Sequence, residues 1–308
     1  MKKVLPAIFG VIVLFSSHLI SQDTATYDKI PASLAAAALQ HIEKLASIGC
    51  REAGSPIEAL ALAYIEAEFK KIGLPTNRED FDFFNYSLQE QQLHVGSEQM
   101  KPESVWFDPY ADTTTFSGPA ACVAPQLSRD EMAKLDLAGK IVITTRPVSS
   151  FQLGRKNPKA IVFLQADDFA KCQKINRSSA ELRTSGKIIK LKSANLVLAI
   201  PVSSSQPGRR ILVTAHYDYA GGPGAADNAS GVALMMEIAR YFKQKPAQPG
   251  LQLEFAALGA EEVGMLGAKA FLVRHAETLG QYELDFNIDT VGGNEDIHIE
   301  MLSGVDGA

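Results

Sequence analysis

Basic residues, cysteines and long apolar runs are all scarce in this 308-residue sequence. Lys and Arg number 30 against 35 Asp and Glu, so the formal net charge is −5. Because there is no basic excess, we do not expect nucleic acid as a partner. The sequence has only 3 cysteines. None of them forms a C-x-x-C pair, so we do not expect a zinc site built from thiolates.

The first 21 residues have the features of a secretory signal peptide. Two lysines precede an apolar stretch at residues 4–15, and a more polar segment follows at residues 16–21. The apolar stretch is shorter than the roughly 20 residues that a membrane span needs. We therefore expect a cleaved signal at residues 1–21 and an extracytoplasmic protein, secreted or periplasmic, with an uncleaved membrane anchor as the alternative.

Export would permit one disulfide bond and leave one thiol free. The sequence does not select which two of the three cysteines would pair. The candidates are Cys50, Cys122 and Cys172.

Several common catalytic motifs are missing. The sequence contains no H-E-x-x-H and no G-x-S-x-G, which are the motifs of a large class of zinc proteases and of serine hydrolases. Gly222 and Gly224 begin a G-x-G pattern, but Asp227 occupies the place of the third glycine, so a dinucleotide site is not expected.

The overall composition is that of a globular protein, with 46% apolar and 21% charged residues. Short apolar strands alternate with helical segments in the last third of the chain. The predicted strands are residues 211–215, 251–258 and 284–288, and the predicted helices are residues 231–242 and 265–275. This alternation predicts an α/β fold with a doubly wound, mostly parallel sheet that has helices on its faces.

Two helices are predicted before this region, at residues 33–48 and 54–74. The second has a clear start, because Ser55 suits the N-cap, Pro56 suits the first helical position, and Glu58 would complete a capping box. We interpret this helix as scaffold.

Between the two parts lies a stretch of short strands separated by turn residues. Strands are predicted at residues 140–144, 160–164 and 188–191, with a helix at residues 128–135. We expect a small, mainly β insertion. The predicted organisation is an α/β domain in two parts, residues 22–86 and 193–308, with an inserted domain at residues 87–192.

Carboxylates and one histidine follow the carboxyl ends of successive predicted strands. They are His216, Asp218, Asp227, Glu261, Glu262 and Asp289. Taken alone, Asp227 is typical of a helix N-cap, and adjacent glutamates are typical of a solvated surface. The glutamates have apolar flanks, however, and ligands in such sheets bind outside the carboxyl ends of the strands. The pattern therefore predicts one functional site.

The residue types suit zinc, which takes neutral imidazole and carboxylate ligands. Asp218 lies two residues after His216, where it can orient the imidazole. A single carboxylate such as Asp227 can bridge two metal ions about 3.5–4 Å apart. Of the two glutamates, one can bind metal while the other moves protons.

Four motifs resemble those of the M28 family of zinc peptidases, which are mainly aminopeptidases. They are H-x-D at residues 216–218, A-D-N-A-S-G at residues 226–231, A-E-E-V-G at residues 260–264, and I-D at residues 288–289. The resemblance covers residues 194–293. Residues 136–144 more weakly resemble a protease-associated insertion found in some members.

The resemblance implies a role for each candidate residue. His216 and Asp289 would bind one zinc ion, Asp227 would bridge two, and Glu262 would bind the second. Glu261 would be the general base, and Asp218 would orient His216. The family also implies a cis peptide bond between Asp227 and the next residue.

The family takes one further zinc ligand, a histidine, from nearer the end of the domain. His298 follows Asp289 too closely for that role, so we expect the sequence to be a C-terminally truncated fragment. The expected function is that of a zinc-dependent aminopeptidase, which hydrolyses peptide or protein N-termini with a metal-activated water. The alternatives are a single-zinc acyltransferase similar to glutaminyl cyclases, and a non-catalytic binding module on the same fold.

Overall fold

The computed structural model describes residues 32–107, 112–146, 150–175, 178–200, 209–246 and 250–292. These residues form two compact units. The first contains the described residues up to Phe83 and from Leu191 onward, and the second is Phe84–Lys190. The expected domain boundaries at residues 87 and 192 stay predictions. The predicted signal peptide, and a further strand predicted at residues 297–301, lie outside the described residues.

The helices and strands of the described residues have the following bounds. The helices are α1 (Ala32–Ile48), α2 (Pro56–Lys71), α3 (Arg129–Lys134), α4 (Ser150–Gly154), α5 (Ala166–Lys174), α6 (Gly231–Lys243) and α7 (Leu266–Arg274). The strands are β1 (Thr76–Val95), β2 (Glu98–Met100), β3 (Pro102–Phe107), β4 (Thr113–Cys122), β5 (Ile141–Thr144), β6 (Ala160–Leu164), β7 (Ser179–Ala199), β8 (Arg209–His216), β9 (Leu251–Leu258) and β10 (Tyr282–Asn287). No described helix has the length and apolar character needed to cross a bilayer.

The first unit is built on a mostly parallel sheet with the strand order β10-β8-β9-β7. Strand β8 pairs in parallel with both β10 and β9, whereas the end of β7 pairs antiparallel with β9. The sequence prediction of a buried parallel strand at residues 211–215 is therefore confirmed.

Successive residues of the central strands face opposite sides of this sheet, as the geometry of a strand requires. Val213 and Ala215 pack into a core with α1, α2 and α6. Leu212 packs into a separate core with Phe271 of α7. Because helices cover both faces, the predicted doubly wound α/β fold is confirmed.

Helix α2 begins as predicted, with one difference. The hydroxyl of Ser55 accepts a hydrogen bond from the backbone N–H of Glu58 at 3.0 Å, and Pro56 is the first helical residue. The carboxylate of Glu58 does not return to the N–H of Ser55. It accepts from the N–H of Gly54 at 2.7 Å and is 2% exposed. The expected capping box is thus only half formed, because Glu58 turns into the interior.

The second unit is a small sheet with short helices. Strand β5 pairs in parallel with β4 on one side and with β6 on the other. Strand β3 pairs antiparallel with β6, and the start of β7 pairs antiparallel with β4. Helix α3 has a complete capping box between Ser128 and Glu131. A disulfide joins Cys122 to Cys172, a pairing that the sequence had left open. Cys50 is a free thiol.

We predict that this disulfide stabilises the chain measurably. It closes a loop of 50 residues, and a crosslink of that kind contributes about 2–4 kcal/mol by restricting the unfolded chain. The double variant Cys122→Ser/Cys172→Ser should lower the free energy of unfolding in urea by that amount. Cys50→Ser is the matched control and should change it by less than about 0.5 kcal/mol. An equal loss in both variants would contradict the prediction.

Candidate metal centre at three strand ends

The predicted site residues lie in three loops that meet at one edge of the first sheet. His216 is the last residue of β8, Glu261 and Glu262 follow β9, and Asp289 follows β10. Because these strands are parallel neighbours with β8 in the middle, their carboxyl ends lie side by side. Asp227 comes from the turn between β8 and α6.

Three side chains converge at this edge. Nε2 of His216 lies 3.2 Å from Oδ1 of Asp227 and 3.5 Å from Oδ1 of Asp289. One ligand atom from each of the three residues lies within 4.8 Å of the others. The structure therefore brings together three of the four metal ligands that the sequence predicted.

The hydrogen bonding of His216 determines which of its two ring nitrogens carries the proton. Nδ1 lies 3.2 Å from the backbone carbonyl of Asp218, which can only accept, so Nδ1 carries the proton. In the neutral ring, the lone pair of Nε2 then points toward Asp227 and Asp289. With the ring neutral, the buried Oδ1 of Asp227 receives no hydrogen bond from the described residues.

Three acceptor atoms in contact require a positive charge between them. In the metal-free chain a proton can supply it. Burial opposes the charged form of His216, but hydrogen bonds to Asp218, Asp227 and Asp289 outweigh this and raise its pKa to about 12. Although burial works against it, the same contact with His216 holds the pKa of Asp289 below its ordinary value.

The donor set also fits a zinc ion. Ligands about 2.0–2.2 Å from a tetrahedral zinc lie roughly 3.4 Å from one another, which agrees with the two separations around Nε2. His216 is buried, but the side chains of Asp227 and Asp289 remain 42% and 45% exposed. The centre is therefore open to solvent on one side, as a catalytic site requires.

The turn that carries Asp227 is a π-type turn at Ala225–Ser230, and it is fixed by the next residue. The peptide bond between Asp227 and Asn228 is cis, as the family resemblance implied. The buried amide of Asn228 donates to the carbonyl of Ile288 at 2.9 Å and accepts from the N–H groups of Gly231 and Thr290 at 2.9 and 3.2 Å. One side chain thus ties the loop of Asp227 to the loop of Asp289.

The small residues at the start of α6 allow this close approach. A Cβ atom at Gly231 would collide with Oδ1 of Asn228 and with the carbonyl oxygen of Ile288. The hydroxyl of Ser230 accepts from the N–H of Val291 at 3.0 Å. The A-D-N-A-S-G motif therefore joins two strand ends as well as presenting a carboxylate.

Glu261 and Glu262 are placed beside the cluster through their backbone. Oδ1 and Oδ2 of Asp218 accept from their N–H groups at 2.9 and 3.1 Å. Oδ1 of Asp218 is also 3.7 Å from Nδ1 of His216. The two glutamate carboxylates do not belong to the three-residue group found among the described residues.

The surroundings of these glutamates raise their pKa values. Burial is the largest cause for Glu261, whose pKa is raised from its ordinary value. Glu262 is more exposed to solvent. Partial burial of its carboxylate and, next, the negative charge of Asp227 raise its pKa to about 7. Both carboxylates can therefore hold a proton closer to neutral pH than an ordinary glutamate.

Sequence reasoning missed the buried cation behind the site. Arg51 is fully buried, and its guanidinium donates to the carbonyls of Tyr217, Pro223 and Gly224 at 2.7, 2.6 and 2.9 Å. These carbonyls belong to the segment between His216 and Asp227, so Arg51 holds that segment in place. In the sequence, Arg51 is only an arginine shortly before the helix predicted at residues 54–74, and that position does not indicate burial or a role at the site.

Sequence reasoning also missed Glu58, which it treated only as a capping residue. Its Oε1 accepts from the hydroxyl of Ser193 at 2.7 Å and from the N–H of Ala260 at 3.3 Å. Burial is the largest influence on Glu58 and raises its pKa to about 7. Ala260 directly precedes Glu261 and Glu262. Helix α2, which the sequence analysis interpreted as scaffold, therefore contacts the candidate site through Glu58.

The loops of the site hold three non-glycine residues in the left-handed backbone region. Ala260, Met265 and Thr290 have φ angles of 52°, 56° and 52°. Such conformations cost about 1–2 kcal/mol each for residues with a Cβ atom. Backbone strain of this kind is concentrated at functional sites in many proteins.

Comparison with known families agrees with the geometry. Residues 195–303 match the model of Peptidase family M28. This match confirms the family resemblance that the motifs indicated. It includes the predicted site residues from His216 to Asp289.

Two curated relatives are similar to part of the chain. Aminopeptidase YwaD of Bacillus subtilis is 38% identical over 100 residues, which is 30% of this chain and 22% of the relative. A probable zinc metalloprotease of Pyrenophora teres f. teres is 34% identical over 108 residues, which is 32% of this chain and 23% of the relative. The matched part thus spans about a quarter or less of these relatives' own length.

A solved structure shares the fold. The aminopeptidase from Aneurinibacillus sp. strain AM-1 superposes with a TM-score of 0.58 at 24% identity, over 84% of this chain and 71% of that chain. At this identity the likeness bears on the fold, and it agrees with the mixed α/β architecture.

We predict that Gly231→Ala disrupts the site. The added Cβ atom would push Asn228 and Ile288 apart, which should cost about 1–3 kcal/mol of unfolding free energy and weaken metal binding. Gly280→Ala is the matched control, because nothing lies within 4 Å of a Cβ atom there. Urea denaturation and a zinc competition assay would measure both effects. Equal behaviour of the two variants would contradict the prediction.

Proposed function

We propose that this chain, whose residues 195–303 match Peptidase family M28, carries the metal centre of a zinc-dependent aminopeptidase. The observation that carries the proposal is the convergence of Nε2 of His216 with Oδ1 of Asp227 and Oδ1 of Asp289. Names of relatives add support, since they include an aminopeptidase and a probable zinc metalloprotease.

In this proposal His216, Asp227 and Asp289 hold one zinc ion. Glu262 would hold a second ion together with Asp227. Burial first, and the charge of Asp227 next, raise the pKa of Glu262 to about 7, and a bound cation would offset both. Bound zinc supplies Lewis acidity, which makes water a better nucleophile near neutral pH and polarises the carbonyl of the scissile bond.

Glu261 is the proposed general base. Its carboxylate takes one proton from the attacking water as the water oxygen bonds to the scissile carbonyl carbon. It then gives that proton to the leaving nitrogen as the C–N bond breaks. The products are a free amino acid and a peptide shortened by one residue. Burial raises the pKa of Glu261, which brings it closer to the value at which a carboxylate can both accept and return a proton.

Asp218 has two proposed positioning roles. Its backbone carbonyl accepts from Nδ1 of His216, which leaves Nε2 free for the metal. Its carboxylate accepts from the backbone N–H groups of Glu261 and Glu262, which fixes where their side chains begin. The sequence had assigned only the orientation of His216 to this residue.

The proposed substrates are the free N-termini of peptides or proteins, encountered outside the cytoplasm. The disulfide between Cys122 and Cys172 supports an oxidising location. The two alternatives from the sequence are not favoured. A binding module would not need Glu261 beside the metal, and neither named relative is an acyltransferase.

We predict that Glu261→Gln slows hydrolysis while zinc stays bound. General acid–base catalysis contributes about 10²–10⁴-fold, so kcat on a peptide with a free N-terminus should fall by that factor. Metal analysis of the purified protein should show the same zinc content as in the wild type. The exposed Glu277→Gln is the control and should leave kcat unchanged.

The N-acetylated form of the same peptide should resist the wild-type protein, because an aminopeptidase needs the free amine. Loss of zinc from Glu261→Gln would contradict the role of general base. Equal cleavage of the acetylated peptide would contradict the aminopeptidase activity.

Zinc binding should depend steeply on pH. The pKa of His216 in the metal-free chain is about 12, so His216 is protonated at every pH below that value. A zinc ion held by His216, Asp227 and Asp289 must displace this proton, so loading of that site should release one proton and tighten about tenfold for each pH unit between pH 6 and 8. Calorimetry in buffers of different ionisation enthalpy would count the protons. Binding that neither releases a proton nor changes with pH would contradict this assignment.

A further inference from the structure

Three consecutive backbone N–H groups after β9 donate to two buried carboxylates. Ala260 donates to Oε1 of Glu58 at 3.3 Å. Glu261 donates to Oδ1 of Asp218 at 2.9 Å, and Glu262 donates to Oδ2 of Asp218 at 3.1 Å. The backbone of the proposed general base is therefore held from both sides by carboxyl oxygens.

Glu58 comes from a distant part of the sequence. It lies on α2, 202 residues before Ala260, and is 2% exposed. Its other oxygen accepts from the N–H of Gly54 at 2.7 Å, and the hydroxyl of Ser193 shares Oε1. Burying a carboxylate is unfavourable unless donors surround it, and here the donors include the loop of the proposed base.

The loop needs this support because it cannot form ladder bonds. Strand β9 ends at Leu258, and Ala260 has a left-handed φ of 52°. The N–H of Gly259 is taken by Oδ1 of Asn195 at 3.2 Å, so Glu58 holds the next donor along the chain. Without Glu58, the buried N–H of Ala260 would lose its partner directly before Glu261.

We propose that Glu58 is a positioning residue for hydrolysis, which fixes the backbone at Ala260 and thereby aims the carboxylate of Glu261 at the reacting water. This inference rests on the proposed function. It adds a residue of helix α2 to the groups that determine the rate of hydrolysis. Glu58 touches neither the metal ligands' side chains nor the proposed substrate, so it acts through the loop.

A second buried glutamate in the same unit offers a matched control. Glu237 on α6 is 3% exposed and lies 3.3 Å from Nε2 of His41. It also pairs with Arg240, and none of its described partners belongs to the metal loops. Loss of its charge tests the general effect of removing a buried carboxylate.

The experiment compares Glu58→Gln with Glu237→Gln in the purified protein. The Gln side chain has one acceptor oxygen, so it cannot serve both Gly54 and Ala260. We expect kcat on the free peptide to fall about 10–100-fold with KM within about twofold, as for other residues that orient catalytic groups. The acidic limb of the kcat–pH profile should also shift. Glu237→Gln should lower the Tm while both parameters stay at wild-type values.

A readout independent of activity is amide hydrogen exchange in the metal-free protein. The peptide covering residues 259–265 should exchange faster in Glu58→Gln and at the wild-type rate in Glu237→Gln. If Glu58→Gln does not fold, replacing Ala260 with lactic acid by nonsense suppression removes only the N–H donor and should give the same fall in kcat.

The outcomes separate this inference from the proposed function. A wild-type protein without aminopeptidase activity would overturn both. An active wild type together with a Glu58→Gln variant of unchanged kcat, pH profile and exchange would overturn the positioning role alone. A fall in kcat that matches the loss of folded protein would also overturn it.

Discussion

Nε2 of His216 and the Oδ1 atoms of Asp227 and Asp289 lie within 4.8 Å of one another, and all three are electron-pair donors once the ring is neutral. Such atoms repel one another unless a cation lies among them. The arrangement persists only if the backbone on each side resists relaxation. The parallel strands supply part of this resistance, because three loops begin at fixed, adjacent points of one sheet edge.

The rest comes from buried polar side chains that bind the backbone of other segments. The side chain of Asn228 donates a hydrogen bond to the backbone after β10, and so connects it to the turn of Asp227. Arg51 donates to backbone carbonyls after His216, and the carboxylate of Asp218 accepts from the backbone of the glutamate pair. Loops cannot satisfy their buried N–H and C=O groups with ladder bonds, so they need such partners. The side chains of His216, Asp227 and Asp289 are therefore positioned by residues outside the cluster.

The sequence predicted the parts of this system that follow local rules. Alternating apolar strands and helices led to the sheet, and the rule that ligands gather at strand ends led to His216, Asp227 and Asp289. The cis peptide bond followed only from the family resemblance. Glu58 was missed because a Glu three residues after Ser55 satisfied a local capping pattern, whereas its partner Ala260 lies 202 residues away. The pairing of Cys122 with Cys172 likewise depends on tertiary structure that no local pattern encodes.

The left-handed residues in these loops have a further consequence. Ala260, Met265 and Thr290 lie in loop segments whose left-handed backbone conformation costs energy. That cost lowers the free energy of opening the loops relative to that of melting the strands. The chain should then open in two steps of unequal cooperativity, with the ligand loops fluctuating well below the temperature at which the sheet unfolds. An ion that joins the three loops would merge these steps into one, so occupancy of the metal centre would set how cooperatively this unit unfolds.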